Sequence, residues 1–109
     1  MVIVWSNPAR ADLRAIHDYI AKDSRHYAKR VVQDLMAKVD LLLTAPRIGR
    51  VVPEIGEDNV RELALYSYRI LYELIGCAPG SSAAPTAIHI QGVVHRRRDF
   101  KPDDLPRQL

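Results

Sequence analysis

The side chains with the clearest chemical capacity are arginines in the second half of the chain. Arg69 interrupts an otherwise apolar stretch, and the run of three arginines at 96–98 is the densest charge in the sequence. A guanidinium binds phosphate or carboxylate through two parallel hydrogen bonds, so both features are candidate anion contacts. Simpler interpretations stay open, since Arg69 could pair with Glu62 or Glu73 and the aspartates that follow could neutralise the arginine run.

His95 directly precedes the arginine run and is the candidate for proton transfer. An ordinary histidine pKa of about 6.5 suits a general acid or base, although a polar residue at a strand end is the simpler interpretation. The other three histidines, at 17, 26 and 89, show neither the spacing of metal ligands nor an accompanying pair of carboxylates. The sequence also contains no glycine-rich phosphate loop. We therefore expect no metal and no cofactor.

The composition indicates one small globular domain over residues 1–109. Hydrophobic residues make up 48% and charged residues 27%, which argues against disorder. The net charge of +3 is a mild excess that favours an anionic partner. The single cysteine excludes an internal disulfide and fits a reducing, cytoplasmic location. We expect neither a signal peptide nor a membrane span, because no apolar run approaches the length that either needs.

Two stretches with apolar residues at helical spacing predict an antiparallel helical hairpin over residues 7–44. The segment 6–8, Ser-Asn-Pro, is a helix start, since serine and asparagine cap free N–H groups and proline suits the first turn. Ser24 can cap the second helix after a break of a few residues.

The rest of the chain has the two-residue period of β-strands. We predict strands at 2–5, 60–65, 68–75 and 87–95, with a surface loop at 46–59, a flexible hairpin tip at 76–86 and a basic tail at 96–109. The order β-α-α-β-β-β indicates an α+β fold, in which the helical hairpin packs on one face of a mainly antiparallel sheet.

Strand alternation assigns residues to the two faces of this sheet. The face toward the helices is expected to hold Tyr68, Ile70, Tyr72, Leu74, Ile88, Ile90 and Val94. The other face is expected to be open and to hold Arg69, Leu71, Glu73, His89, Gln91, Val93 and His95. Gly92 could host a bulge and shift the last of these residues by one position. The open face is the expected location of function.

Several fragments, in this order and spacing, resemble toxins of the RelE/ParE superfamily from bacterial type II toxin–antitoxin modules. They are Val4-Trp5-Ser6-Asn7-Pro8-Ala9-Arg10-Ala11-Asp12-Leu13, Ala45-Pro46-Arg47-Ile48-Gly49-Arg50, Val51-Val52-Pro53-Glu54, Val60-Arg61-Glu62-Leu63, Tyr68-Arg69-Ile70-Leu71-Tyr72 and Val94-His95-Arg96-Arg97-Arg98-Asp99-Phe100. The resemblance covers nearly the whole chain. It implies the toxin fold of this superfamily and a role in growth inhibition and the stress response.

The superfamily divides into messenger RNA endoribonucleases that act on the ribosome and ParE-like toxins that inhibit DNA gyrase by binding. Its ribonucleases typically carry lysines before the Tyr-Arg element and an acid or base in the tail, often tyrosine. This chain has no lysine between Lys38 and Lys101 and no tyrosine after Tyr72. The resemblance therefore favours the ParE-like branch, acting by binding and not as an enzyme.

Two alternatives remain. A ribonuclease would use as catalytic residues Arg69, His95, Arg96 and Glu62, and an inactive toxin would only bind its antitoxin.

The resemblance also implies partners. A cognate antitoxin with an acidic or amphipathic tail would wrap the helices and sheet in a hetero-oligomer, and operator DNA would be bound only through that antitoxin. The residues expected to contact the antitoxin are Leu13, Ile16, Ile20, Val31, Leu35 and Val39. Those expected to contact the target, DNA gyrase or alternatively the ribosome and its message, are Arg61, Arg69, His95, Arg96, Arg97 and Arg98.

Overall fold

A computed structural model describes residues 1–97 of the chain. Its elements are β1 (Val2–Trp5), α1 (Asn7–Ala21), α2 (Arg25–Asp40), a short 3₁₀ helix (Leu41–Leu43), β2 (Arg50–Val51), β3 (Val60–Leu65), β4 (Tyr68–Ile75) and β5 (Ala87–His95). Two helices pack on a five-stranded sheet, which confirms the predicted α+β fold.

Both helices of the hairpin begin at a serine cap. The Ser6 hydroxyl accepts the Ala9 N–H at 3.1 Å, and the Ser24 hydroxyl accepts the Tyr27 N–H at 3.1 Å. Each bond satisfies one of the backbone donors that a helix leaves free in its first turn. Pro8 lies in the first turn of α1, where its missing N–H costs nothing.

The sheet has the strand order β1-β5-β4-β3-β2. β1 runs parallel to β5, and the remaining neighbours are antiparallel. The prediction that 46–59 is entirely loop is wrong, because Arg50 and Val51 pair with Glu62 and Arg61 as a fifth, edge strand. A segment of two residues is too short to show the alternation of a strand in its sequence, and it is a strand only because it pairs with β3.

The main core lies between the helical hairpin and the sheet. Helix residues such as Leu35 and Val39 are fully buried there against the strand residues Ile70, Tyr72 and Ile88. The other face of the sheet is not fully open as predicted. Val52 is also fully buried, and it packs with Val60, Leu71, Ile55 and Val94 in a second, smaller cluster. The segment after β2 therefore covers part of the face on which we expected function.

A bulge in β5 changes the faces of its last residues. Leu71 pairs with Gly92 but Tyr72 pairs with Ile90, so Gln91 is an extra residue in β5. The regular alternation is therefore wrong beyond this point. The alternative of a shift by one position is confirmed, although the extra residue is Gln91 and not Gly92. Val93 joins the core on the helix side, whereas Val94 packs in the second cluster.

The side chain of Asp12 completes the interrupted strand pairing. Its Oδ2 atom accepts the Val93 N–H at 2.9 Å, directly after the bulge. A bulge disturbs the ladder locally, and a buried N–H left without an acceptor is costly. Asp12 on α1 therefore stabilises the register of β5.

Replacing Asp12 with alanine is expected to lower the free energy of unfolding by about 1–3 kcal/mol, because the Val93 N–H would lose its acceptor. Asp12→Asn keeps an oxygen there and should lose less. Urea denaturation followed by circular dichroism measures the difference. The control is Asp18→Ala on the same helix, where the side chain is 70% exposed. An equal loss in both alanine variants would contradict this role for Asp12.

Candidate functional site

Arg69 lies on β4 and points away from the helices, as predicted. Its side chain is only 11% exposed, and its Nε donates to Glu62 Oε2 at 2.5 Å. Glu62 lies on the neighbouring strand β3 and is 4% exposed. A buried arginine and a buried carboxylate stay charged only when they are paired, so each accounts for the burial of the other. The interpretation of Arg69 as an ion-pair partner of Glu62 is therefore correct, although the pair is buried and not solvated.

Two further side chains extend this pair. Arg69 donates from Nη1 and Nη2 to the two oxygens of Glu54, at 2.7 and 2.8 Å. The Nε of Arg50 donates to the second oxygen of Glu62. The bonds from Arg69 lower the pKa of the Glu54 carboxyl, and the bonds to Glu54 and Glu62 raise the pKa of the Arg69 guanidinium. The four side chains alternate in charge as Arg50, Glu62, Arg69 and Glu54.

These groups line a recess of about 540 Å³ on the sheet face opposite the helices. We call it the arginine recess, and its lining residues are Arg50, Pro53, Glu54, Glu62, Ala64, Arg69 and Arg96. Arg96 is exposed at its margin and takes part in no ion pair with another residue of the described range 1–97. With three arginines and two glutamates, the recess has a small positive excess suited to an anionic group.

The segment that carries Arg50 is held by the hydroxyl of Tyr72. That hydroxyl accepts the Gly49 N–H at 3.0 Å and donates to the carbonyl of Pro46 at 2.9 Å. A Cβ atom at position 49 would lie 2.5 Å from both this hydroxyl and the carbonyl of Glu62. Only glycine permits this approach, and burial raises the pKa of Tyr72 so that its hydroxyl remains a donor.

Arg61 does not belong to the arginine recess. Its guanidinium donates to the carbonyls of Arg47 and Gly49 and to both the carbonyl and the carboxylate of Asp58. It faces the helix side, because it pairs with the core residue Tyr72 across the strands. Arg61, which was grouped with Arg69 and Arg96 as a target contact, therefore lies on the other face of the sheet, and its donors hold the residues on both sides of β2.

His95 lies on the face opposite Arg69, which corrects its predicted position. It pairs with Tyr68 across the strands, and the two rings meet edge to face with centroids 5.8 Å apart. Its Nδ1 accepts the Arg97 N–H at 3.1 Å. Arg97 is exposed near this end of β5, and Arg98 lies outside the described residues. The bulge thus places His95 on the opposite face of the sheet from Arg69.

This geometry fits anion binding better than acid–base chemistry. Cleavage of RNA needs a group that takes the proton of the ribose hydroxyl beside cations that stabilise the phosphate. Both oxygens of Glu62 already accept from arginines, and His95 is on the other side of the sheet. Among residues 1–97, no three histidine, cysteine or acidic side chains come together as metal ligands would.

A second concave surface lies between the helices and the turn from β3 to β4. This groove of about 670 Å³ is mainly apolar, and four tyrosines and a histidine line it: Tyr19, Tyr27, Tyr66, Tyr68 and His95. We call it the tyrosine groove. Tyr66 has a positive φ of 54° in the two-residue turn, and its hydroxyl contacts Asp34 of α2. This contact ties the turn to the hairpin and holds the groove in shape.

The residues expected to contact an antitoxin lie mostly inside the protein. Leu35 and Val39 are fully buried core residues, and Leu13 packs against the same core. Ile16, Ile20 and Val31 form part of the floor of the tyrosine groove, where Ile16 is 9% and Val31 2% exposed. The apolar stripe of each helix is thus largely occupied by the sheet. The groove tyrosines, of which Tyr19, Tyr27 and Tyr66 are exposed, were not predicted.

Fold and site together define a small α+β domain with a paired arginine recess on one side of its sheet and an aromatic groove on the other. A family model described as the ParE toxin of the type II toxin–antitoxin system, parDE, matches residues 3–100. The chain belongs to this family, and it is the toxin component of a type II toxin–antitoxin system.

A solved structure supports the same assignment. The chain is similar to a structure described as the chromosomal ParDE toxin–antitoxin system from P. aeruginosa, with 26% identity and a TM-score of 0.67. The match covers 87% of this chain and 95% of that one. No curated protein matches the sequence. Within residues 1–97, neither helix has the length and apolar character to cross a bilayer.

The sequence contained weak signals for the residues we missed. Glu54 and Arg50 belong to the motifs that resemble the toxin family, but no feature of the neighbouring sequence indicates that either side chain contacts β3 or β4. The groove tyrosines are separated by up to 49 positions, from Tyr19 to Tyr68. Only the folded chain brings them together.

The two glutamates of the arginine recess are expected to differ in their effect on stability. Glu62→Gln should lower the free energy of unfolding by about 2–4 kcal/mol, because it leaves the buried Arg69 without its closest carboxylate. Glu54→Gln removes a partly exposed partner and should cost about 1 kcal/mol or less. Urea denaturation of these two isosteric variants measures both values. Equal losses would show that the two carboxylates are equivalent.

The contribution of Glu54 to stability should depend on pH. Its pKa in the folded protein lies below the usual 4.5, so the charged form favours folding above that value. This contribution is lost as the pH falls through the lowered pKa. The difference in unfolding free energy between wild type and Glu54→Gln should therefore shrink from about pH 7 to about pH 3. A constant difference would contradict the charged contact with Arg69.

Proposed function

We propose that this toxin arrests growth by binding DNA gyrase, and that its cognate antitoxin neutralises it. The observation that carries the proposal is the arrangement of charges and hydrogen bonds in the arginine recess. Arg69 and Arg96 line it as anion contacts, while both oxygens of Glu62 are held by arginines. A site with three cations, in which the oxygens of both glutamates already accept from arginines, suits binding, and ParE membership supports the same conclusion.

The target surface in this proposal is the end of β5 and the arginine recess beside it. Arg96 and Arg97 are exposed there and line a further polar depression with Ser67 and His95. Arg98 follows them in the sequence. An exposed arginine suits a protein interface because its guanidinium makes several directed hydrogen bonds. A toxin of gyrase would act in the cytoplasm.

The antitoxin surface in this proposal is the tyrosine groove. Tyr19 is 71%, Tyr27 50% and Tyr66 44% exposed, and these side chains flank a floor of isoleucine and valine. An amphipathic helix or strand of the antitoxin would bury this apolar surface, which suits the expected amphipathic tail. The similarity to a solved ParDE toxin–antitoxin system supports an antitoxin as the partner.

One observation favours the endoribonuclease as a second candidate. Arg69 and Arg96 line the same recess, as two cations stabilising a phosphate would. A proton acceptor would then have to come from Glu54 after it leaves Arg69, or from the ribosome. An inactive toxin that only binds its antitoxin is the third candidate.

Purified toxin is expected to inhibit DNA supercoiling by gyrase and to leave ribosome-bound message intact. Arg96→Ala should raise the concentration for half inhibition about tenfold, as loss of a central interface arginine does. Arg10→Ala is the matched control, because Arg10 is also exposed but lies on α1. Supercoiling assays with both variants measure the effect.

Two results would separate the candidates, and a third tests neutralisation. Cleaved message with unaffected gyrase would establish the ribonuclease and end the gyrase proposal. A wild-type chain that neither slows growth on expression nor affects either target would support the inactive toxin. Cognate antitoxin added in equal amount should restore supercoiling, and a failure to do so would contradict neutralisation.

A further inference from the structure

The Arg69 guanidinium presents two edges with different surroundings. Its Nε edge faces Glu62, which is 4% exposed and fixed in the ladder between β3 and β4. Its Nη edge faces Glu54, which is 31% exposed and belongs to no strand. The first carboxylate is therefore part of the framework, whereas the second could leave without breaking the sheet.

The segment that carries Glu54 is anchored without its side chain. Val52 is fully buried, its N–H donates to the Val60 carbonyl at 3.0 Å, and its carbonyl accepts from Ile55 and Gly56. These bonds form a turn, with Ile55 packed in the second cluster and Pro53 and Glu54 exposed. A rotation of the Glu54 side chain away from Arg69 would leave these anchors in place.

The arginine recess is suited to a carboxylate in particular. Glu54 already fills the Nη edge with two parallel bonds of 2.7 and 2.8 Å, the geometry in which arginine binds a planar carboxylate. Beside it, the side chain of Arg50 is 72% exposed and Arg96 is exposed. With Glu54 displaced, these two cations would flank the open edge of Arg69. Binding of nucleic acid relies on many cations, and the recess has three.

We propose that Glu54 is an internal competitor that masks Arg69 from an acidic segment of a protein partner. A glutamate or aspartate of the partner replaces Glu54 on the Nη edge, and neighbouring acidic residues reach Arg50 and Arg96. The inference rests on the proposed function, because it gives the chemistry that a protein target or antitoxin must present to this face. Only molecules in which Glu54 has left the Nη edge can bind the acidic segment. The apparent affinity for this segment is therefore lower than the intrinsic affinity by the fraction of molecules that are masked.

Fluorescence anisotropy with a labelled peptide of alternating glutamate and glycine tests this competition on the full chain. Glu54→Gln should bind the peptide about two- to tenfold more tightly than wild type. Glu54→Asp should also gain affinity, because its shorter side chain does not reach both Nη atoms, while the net charge stays unchanged. Asp23→Asn removes one negative charge from the exposed turn between the helices and should change the affinity by less than about twofold.

The comparison of these variants decides the proposal. It is overturned if Glu54→Gln gains no more than Asp23→Asn and Glu54→Asp gains nothing. A gain for inorganic phosphate or a single-stranded oligonucleotide, with none for the peptide, would overturn the assignment to a protein carboxylate. The supercoiling assay is scored separately. If the toxin inhibits supercoiling but the Glu54 variants gain no affinity for the peptide, only the masking role is contradicted. If the variants gain affinity but the toxin does not inhibit supercoiling, only gyrase as the target is contradicted.

Discussion

The extra residue in β5 is the constraint on which the arrangement of surfaces depends. Because Gln91 is unpaired in the ladder, every later residue of the strand faces the side opposite to the one that regular alternation gives. Val93 thereby enters the core, and Arg96 reaches the recess that contains Arg69. His95 is directed into the tyrosine groove instead. Asp12 of α1 accepts the Val93 N–H directly after the extra residue, so this contact links the helical hairpin to the register of β5.

Burial determines what the charged groups of the recess can do. Glu62 and Arg69 lie within the protein, where each keeps its charge only through the other. Tyr72 and Arg61 hold the segment that precedes β2 from the opposite side of the sheet, through bonds to the carbonyls of Pro46 and Gly49. The result is a rigid inner pair with an exposed outer margin at Glu54, Arg50 and Arg96. Rigid inner charges favour recognition of an anion over transfer of a proton.

The two concave surfaces lie on opposite faces but meet at the end of β5. His95 lines the tyrosine groove, and the next residue, Arg96, lines the arginine recess. A partner bound in one surface therefore lies directly beside the other. The first surface is mainly apolar and the second is charged, so they suit partners of different chemistry. Under the proposed assignment of the two surfaces, an antitoxin in the groove would restrict access to the target surface.

The sequence by itself determined the helical hairpin and the four longer strands, because these depend on local periodicity. It determined the serine caps from side chains next to the helix starts, and the toxin family from motifs in a fixed order. It also offered Glu62 or Glu73 as a partner for Arg69, and the structure shows Glu62. The tertiary structure alone decided the strand at Arg50–Val51, the role of Arg61 and the face of His95. Each of these depends on pairing between residues distant in the chain, and a shift of one residue in register reverses which face a side chain occupies.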